Sequence, residues 1–256
     1  MGKSTILVTG GTGNLGSLVT ARLRAAGREV RVLSRHSAEH PVDLRDGSGL
    51  DAAMAGVEVV VHCASSPRGG DEEAARHLID AARRAGTVRN LVYISIVGVD
   101  VVPLGYYKSK LRVERLLEGS GLGVTILRTT QFHDLVAQVV DMAAKLPVVP
   151  LPAGVRVQPI AVEEVADRLA ELAVPTPSGR VTDMGGPEIA TLPDLGRAYL
   201  AATGRHRRRV VPLRLWGKAY AGFRRGGNLT PSHAAGRGTF AQYASERASG
   251  ARAGRG

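Results

Sequence analysis

At 256 residues, 44% apolar and 22% charged, the chain is long enough for one α/β domain with a full core, or a domain plus a small appendage. Its single cysteine, Cys63, excludes an internal disulfide and a cysteine-based zinc site, no metal site is expected, and no run of eighteen apolar residues is present to span a bilayer. The charge of +11 gathers late, in Arg205-His206-Arg207-Arg208-Arg209 and the final residues. With 4% aromatic residues and no nucleic-acid-binding motif, it reads as arginine bias plus a basic cofactor pocket, with neither nucleic acid nor membrane as partner.

The chain enters a β-branched strand, Thr5-Ile6-Leu7-Val8-Thr9, within a few residues and shows no signal-peptide core, which points to the cytosol. The strand ends in Gly10-Gly11-Thr12-Gly13-Asn14-Leu15-Gly16 and opens onto helical spacing from Ser17. Strand, glycine turn and helix N-terminus form the context that a dinucleotide fingerprint requires. Gly10 lets the chain leave the strand in a tight turn, Gly13 lets the backbone approach a pyrophosphate, and Gly16 lets the helix pack closely on the strand. The helix N–H groups and positive dipole end then face the phosphates. The spacing is Gly10-x-x-Gly13-x-x-Gly16, not the usual G-x-G-x-x-G.

Gly27 supplies a C-cap, and 29–34 reads as a second strand. Where an NAD site would carry an acid for the ribose 2′-hydroxyl, the chain has Ser34-Arg35-His36. The planar fork of Arg35 suits a 2′-phosphate, so NADP, as NADPH, is expected over NAD. Val42-Asp43-Leu44 reads as a short third strand, with Asp43 placed to accept from the adenine amino group. A short helix over 50–55 leads into an almost wholly apolar strand over 57–64. The end of that strand, Cys63-Ala64-Ser65-Ser66, falls at the carboxyl edge of the sheet, where ligands bind. Cys63 and His62 lack an activating partner and read as core residues.

A polar loop over 67–71 precedes a helix over 72–85, a fifth strand over 88–95 and an irregular connection over 96–104. An amphipathic helix then runs from Gly105 to Glu118, and a sixth strand over 123–128. This alternation argues for a Rossmann-type doubly wound parallel sheet. Beyond Asp134 come a helix over 135–145, a proline-broken extended stretch over 147–159, a helix over 162–169, a strand and turn over 181–187, and a helix over 192–203 with Pro193 near its start. The reading divides the chain into a dinucleotide-binding core (1–134), the remaining core elements with a substrate-side lobe (135–247), and a disordered Gly/Ala/Arg tail (248–256). A last helix is expected over 239–247.

Tyr106 and Lys110, at i and i+4, share one helical face. A cationic lysine beside a phenol lowers the tyrosine pKa toward the working pH, so Tyr106 can give a proton to a substrate oxygen as hydride arrives. Lys110 can also hold ribose hydroxyls, and Ser95, at the end of the preceding strand, can hydrogen-bond the same substrate oxygen. Tyr107 is an equal candidate for the inward-facing ring.

The TGGTGNLG, YISIVGVD, GYYKSKLRVERLL and ILRTTQFHDLV segments together resemble the atypical short-chain dehydrogenase/reductases and, within them, the NmrA-like NAD(P)-binding group. The similarity covers most of the chain, including GGNLTP from Gly226 and GRGTF from Gly236. It implies a Rossmann domain with a small C-terminal substrate-side lobe. It also implies one of two activities: NADPH-dependent reduction of a small quinone, carbonyl or enone, or redox sensing through NADP and a protein partner without turnover. By this resemblance Gly10, Gly13 and Gly16 form the phosphate loop, with Thr12, Asn14 and Leu15 on the same turn. Arg35 contacts the 2′-phosphate, Ser65 and Lys110 lie by the nicotinamide ribose, and Thr129, Gln131 and Phe132 lie near the carboxamide and substrate. One departure is visible: Ser95 stands eleven residues before Tyr106, in a segment without the Ser-Ser pair of short-chain dehydrogenases. A monomer and a homodimer fit equally.

Overall fold

The computed structural model describes residues 4–35, 37, 40–66 and 69–253. In chain order, β1 (Thr5–Thr9), α1 (Asn14–Ala25), β2 (Glu29–Ser34), β3 (His40–Pro41), α2 (Leu50–Met54) and β4 (Val59–His62) come first. They are followed by α3 (Asp71–Ala85), β5 (Asn90–Ile96), α4 (Gly105–Glu118), β6 (Val124–Thr129) and α5 (His133–Ala143). Next come β7 (Val149–Pro152), β8 (Arg156–Val157), α6 (Val162–Leu172), β9 (Gly179–Arg180) and β10 (Ala190–Thr191). The series ends with α7 (Leu192–Ala202), β11 (Val210–Leu213), α8 (Lys218–Arg224) and α9 (Phe240–Ala253). Among the described residues no helix is long and apolar enough to cross a membrane.

The chain divides into two compact units. The first holds the residues up to Ser95, Leu104–Arg128 and Glu163–Thr182; the second holds Ile96–Pro103, Thr129–Val162 and the chain from Asp183 on. In the first, seven strands form one sheet in the order β3-β2-β1-β4-β5-β6-β9. β1 pairs with β2 and β4, β2 with β3, β4 with β5, and β6 with β9, all parallel. The order reverses between β1 and β4, and the carboxyl ends of these two strands mark the topological switch point. Every residue of β1 is buried, as a central strand covered on both faces requires.

α3 has Asp71, Glu72 and Glu73 in its first turn and Arg83 and Arg84 in its last, matching the helix dipole, and ends at the left-handed Gly86. α4 buries Tyr107, Lys110, Val113, Glu114 and Leu117, one face of a 3.6-residue period. It packs on a core that includes Leu7, Leu33, Met54, Val60, Leu78, Tyr93 and Ile126. Each large aliphatic side chain in that core contributes about 1.5–3 kcal/mol.

The second unit carries a parallel pair, β7 with β11, and an antiparallel pair, β8 with β10. Its core joins Val136 and Val140 of α5, Val149 and Leu151 of β7, Leu195 and Tyr199 of α7, and Phe240 and Ala244 of α9. Thr191 caps α7 by accepting the Asp194 N–H at 3.2 Å. A Cβ on Gly196 would lie 2.4 Å from the end of the Leu151 side chain, so Leu151 of β7 occupies the space beside α7 that the glycine leaves.

Four expectations change. The strand expected over 181–187 lies earlier, as β9, and only isolated bridges at Met184 and Gly185 follow it within that range. The third strand is His40–Pro41, not 42–44: after Pro41 the Asp43 carboxylate accepts the Arg45 N–H at 3.0 Å and turns the chain. Val42 and Leu44 are buried as loop residues. β11 and α8 lie where the sequence displays only a cationic run. α9 continues to Ala253, past the point at 248 where composition predicts an unstructured tail, with Ser245 and Ser249 bonding back to carbonyls four residues earlier. Pro67 and Arg68 of the expected polar loop, His36, and residues 254–256 lie outside the described residues.

Candidate active site

Gly10 leaves β1 at φ +65°, where L side chains are strained, and a Cβ there would lie 2.8 Å from the Ala64 Cα and N. Backbone therefore meets backbone between the first turn and the end of β4. A Cβ on Gly16 would stand 2.2 Å from the Gly10 carbonyl oxygen, so helix and turn also cross in contact. Gly13 is the N-cap of α1, has no side chain to close the helix end, and donates its N–H to the Gly10 carbonyl at 2.9 Å. The first turn of α1 contains no acidic residue, so its positive end is uncompensated. Leu15 is buried, Asn14 is exposed, and Thr12 donates to the Ser34 hydroxyl at 2.9 Å. Gly11 carries a constraint that its place in the motif does not reveal: a Cβ would come within 2.8 Å of Val32.

A cavity of about 280 Å³ opens from this loop. Gly10, Thr12 and Gly13 line it, with Ser34 and Arg35 from the end of β2, Asp43 and Arg45 after β3, and Cys63, Ala64, Ser65 and Ser66 after β4. Arg35 is exposed at the rim. Arg45, which sequence reasoning missed, donates to the Gly69 carbonyl at 2.5 Å and reaches Ser66 at 3.4 Å, so it ties the loop after β3 to the loop after β4. Its only sequence signal is its place two residues beyond Asp43.

Ser65 is the junction between this cavity and α4. Its hydroxyl donates to Asp71 at 2.6 Å and accepts from the Tyr106 hydroxyl at 2.8 Å. The Asp71 carboxylate also takes the Ser66 N–H at 2.8 Å. Asp71, buried at the start of α3, was likewise missed, because a first-turn acid reads as an ordinary helix-dipole residue.

The structure places Tyr106 and Lys110 together, but not with the effect expected from their spacing. Lys110 is 3% exposed; its ammonium donates to the Ile94 carbonyl at 3.3 Å and sits 4.8 Å from the Tyr93 ring centroid, against 5.9 Å for Tyr106. Burial lowers its pKa to about 8, with Asp71, Cys63 and Glu114 pulling upward. The Tyr106 pKa is raised, first by burial and then by the Asp71 charge, and the Ser65 bond opposes this. The expected lowering by Lys110 is therefore corrected: desolvation first, with a nearby carboxylate, raises the phenol, and the effect that opposes them is the Ser65 bond. Tyr107 is the buried ring, while Tyr106 is half-buried and turned to Ser65.

Ser95 is 1% exposed, its hydroxyl has no hydrogen-bond partner among the described residues, and it does not line the cavity. The Tyr93 hydroxyl is also buried without a hydrogen-bond partner among the described residues. Burial pushes the Cys63 thiol up to about 12, against the pull of Lys110. His62 stacks on Tyr93 at 5.4 Å, bonds Thr9 at 2.7 Å, and has its pKa lowered to about 3 by burial and then by Lys110.

Thr129, Gln131 and Phe132 belong to the second unit. Thr129 is buried and bridges to Met184, the Gln131 side chain accepts from Asn228 at 3.3 Å, and Phe132 is the N-cap of α5 and bridges to Ile160. Their expected role beside a substrate rests on the resemblance alone.

A family model described as NAD(P)H-binding matches residues 10–173. Quinone oxidoreductase 2 of Escherichia coli is 29% identical over 142 residues, 50% of this chain and 49% of that relative, so the chain spans about half its length. The solved structure of the NADPH-dependent quinone oxidoreductase of E. coli complexed with NADPH superposes with a TM-score of 0.77 at 22% identity, covering 94% of this chain and 99% of that one. A short-chain dehydrogenase/reductase superfamily protein from Agrobacterium tumefaciens with bound NAD gives 0.70 at 22% identity, over 98% of each chain. At these identities the two structures share the fold.

Proposed function

The chain belongs to the NAD(P)H-binding family, and from that premise we propose that it is an NADPH-dependent oxidoreductase that reduces a small carbonyl, quinone or enone substrate. The observation that carries this reading is the glycine cradle. Side-chain-free backbone at Gly10 and Gly13, with α1 held against the turn at Gly16, leaves the bare end of α1 at a cavity that reaches Ser65, the partner of the Tyr106 hydroxyl. A dinucleotide fits that donor set: N–H groups for the pyrophosphate, Ser34 and Arg35 for the 2′-phosphate, Asp43 for the adenine amino group, and Ala64 and Ser65 on the nicotinamide side. When bound, NADPH supplies the hydride.

Tyr106 gives its proton to the substrate oxygen. Ser65, held by Asp71, fixes the direction of the Tyr106 hydroxyl and can turn its own hydrogen to the phenolate that remains. Lys110 stays protonated below about pH 8 and places its charge behind that ring. A second reading, a sensor that binds NADP and reports to a protein partner, is favoured by the raised Tyr106 pKa and by the position of Ser95 away from the cavity.

The deciding experiment is a fluorescence titration of NADPH and NADH on wild type and Arg35→Ala, followed by turnover with a quinone and enone panel. The reductase reading expects NADPH affinity to fall about 10- to 100-fold in Arg35→Ala, toward the NADH value. It also expects turnover to fall about 10²- to 10⁴-fold in Tyr106→Phe. Tight binding with no turnover across the panel selects the sensor, and no binding of either dinucleotide overturns both readings.

A further inference from the structure

The positive charge is localised. Between Asp194 and Glu246 the chain runs through fifty-one residues with ten lysines and arginines and no carboxylate, which accounts for nearly the whole net charge of +11. Composition alone assigns this excess to arginine bias; side-chain exposure changes that reading. Arg207, Arg208, Arg209, Arg214 and Lys218 are all exposed. Arg208 donates to the Leu146 carbonyl at 3.1 Å; the other four make no ion pair among the described residues.

The same stretch holds its tryptophan and two of its leucines in water. Trp216 is 90% exposed, and Leu213 and Leu215 are 43% exposed each. Their position follows from the local structure. Val210 and Val211 are half-buried where β11 pairs with β7, the chain then leaves the core at Pro212, and Gly217 at φ +106° turns it into α8. The exposed apolar surface continues on the partner strand's side. Leu146 and Val148 are 51% and 43% exposed, and the Arg208 bond together with the Val149 N–H bond to the Arg209 carbonyl at 2.9 Å sets them beside the arginine run.

Cations interleaved with an indole and leucines discriminate between partners. A second copy of this chain would press one carboxylate-free surface against another of the same sign, since a two-fold interface is self-complementary. A nucleic acid would engage the arginines and one ring, but leave the leucines and valine unused. An anionic lipid surface uses every part: arginine and lysine at the headgroups, the indole at the interface, and the leucines in the acyl boundary. We propose that residues 207–218, with Leu146 and Val148, form a docking surface for an anionic membrane.

Trp216 is the chain's sole tryptophan, so intrinsic fluorescence reports on this surface alone. The full-length protein is titrated with vesicles of phosphatidylglycerol and phosphatidylcholine, and with phosphatidylcholine alone, at low and physiological salt. The expected result is a blue shift and cosedimentation with the anionic vesicles only, weakening as salt rises. Each basic residue at the surface is worth about fivefold in partitioning, so Arg207→Ser with Arg209→Ser should weaken binding roughly thirtyfold. Trp216→Ala should retain low-salt cosedimentation at several-fold lower affinity. All three side chains are exposed, and unchanged thermal melts verify that the variants fold. The proposal is overturned by an absent shift with anionic vesicles at low salt, by equal binding to both vesicle types, by a shift that tracks protein concentration without vesicles, or by tighter binding to a DNA duplex than to the vesicles.

Discussion

Acid should destabilise this protein through His62 in particular. The imidazole is 2% exposed, bonded to Thr9 at 2.7 Å, stacked on Tyr93, and close enough to Lys110 that the ammonium also disfavours a second positive charge. Its pKa falls from 6.5 to about 3. The folded state therefore keeps His62 neutral while the unfolded chain binds a proton below pH 6.5. The stabilisation is complete above 6.5 and is lost as pH falls toward 3. At 1.36 kcal/mol per unit, moving from pH 7.5 to pH 4.5 costs about 2.7 kcal/mol through this one residue. Acid acts on more groups than His62, so the assay is a difference. Urea unfolding of wild type and His62→Gln is measured at both pH values, and the wild-type advantage should shrink by about 2.7 kcal/mol at pH 4.5. A change below about 1 kcal/mol, or an imidazole that titrates near 6.5 in the folded protein by NMR, would refute the reasoning.

The two glycine positions should separate stability from binding. Gly10→Ala forces a Cβ into the Ala64 backbone at positive φ and should lose both fold stability, by about 1–3 kcal/mol, and NADPH binding. Gly13→Ala, at φ −78° with only the Gly10 carbonyl at 3.2 Å, should melt within a few degrees of wild type yet bind NADPH more weakly. Replacing Asp71 with Asn removes a charge that raises the Tyr106 pKa. The Tyr106 tyrosinate transition, read by ultraviolet difference against Tyr106→Phe, should move to lower pH. In the core, Arg128 donates twice to Glu114 at 2.8 and 2.5 Å with both side chains buried; Glu114→Leu should cost about 3–5 kcal/mol in urea unfolding, and adding Arg128→Met should recover much of it.

The parallel sheet was legible because its strands are short apolar runs punctuated by glycine, and α4 because 107, 110, 114 and 117 keep helical period. The glycine turn after β1 could be read to the residue, since only glycine satisfies the φ of Gly10 and the contact at Gly16. The third strand was misplaced by two residues because Val42 and Leu44 are buried without being in the ladder, and alternation cannot tell those cases apart. β11 was hidden by the arginines that precede it. The chemistry around Tyr106 was the least legible part. Spacing on α4 brings Lys110 near, but the groups that set the phenol's state, Ser65 and Asp71, come from the far end of β4 and from α3, which no local pattern links.

The division of the chain also has a consequence for biosynthesis. The polypeptide passes from one unit to the other five times, so neither unit is a contiguous stretch that a ribosome could release finished. Six strands of the large sheet have been synthesised by Thr129, while the core of the second unit waits for Phe240 and Ala244 at the far end of the chain. Until they emerge, Val136, Val140, Leu151 and Tyr199 lack the cover of α9, and part of their apolar surface is available to other nascent chains. A ribosome stalled before residue 240 would therefore display a nearly complete first unit beside an unsealed second one. Chaperone demand should fall steeply when the last helix clears the exit tunnel.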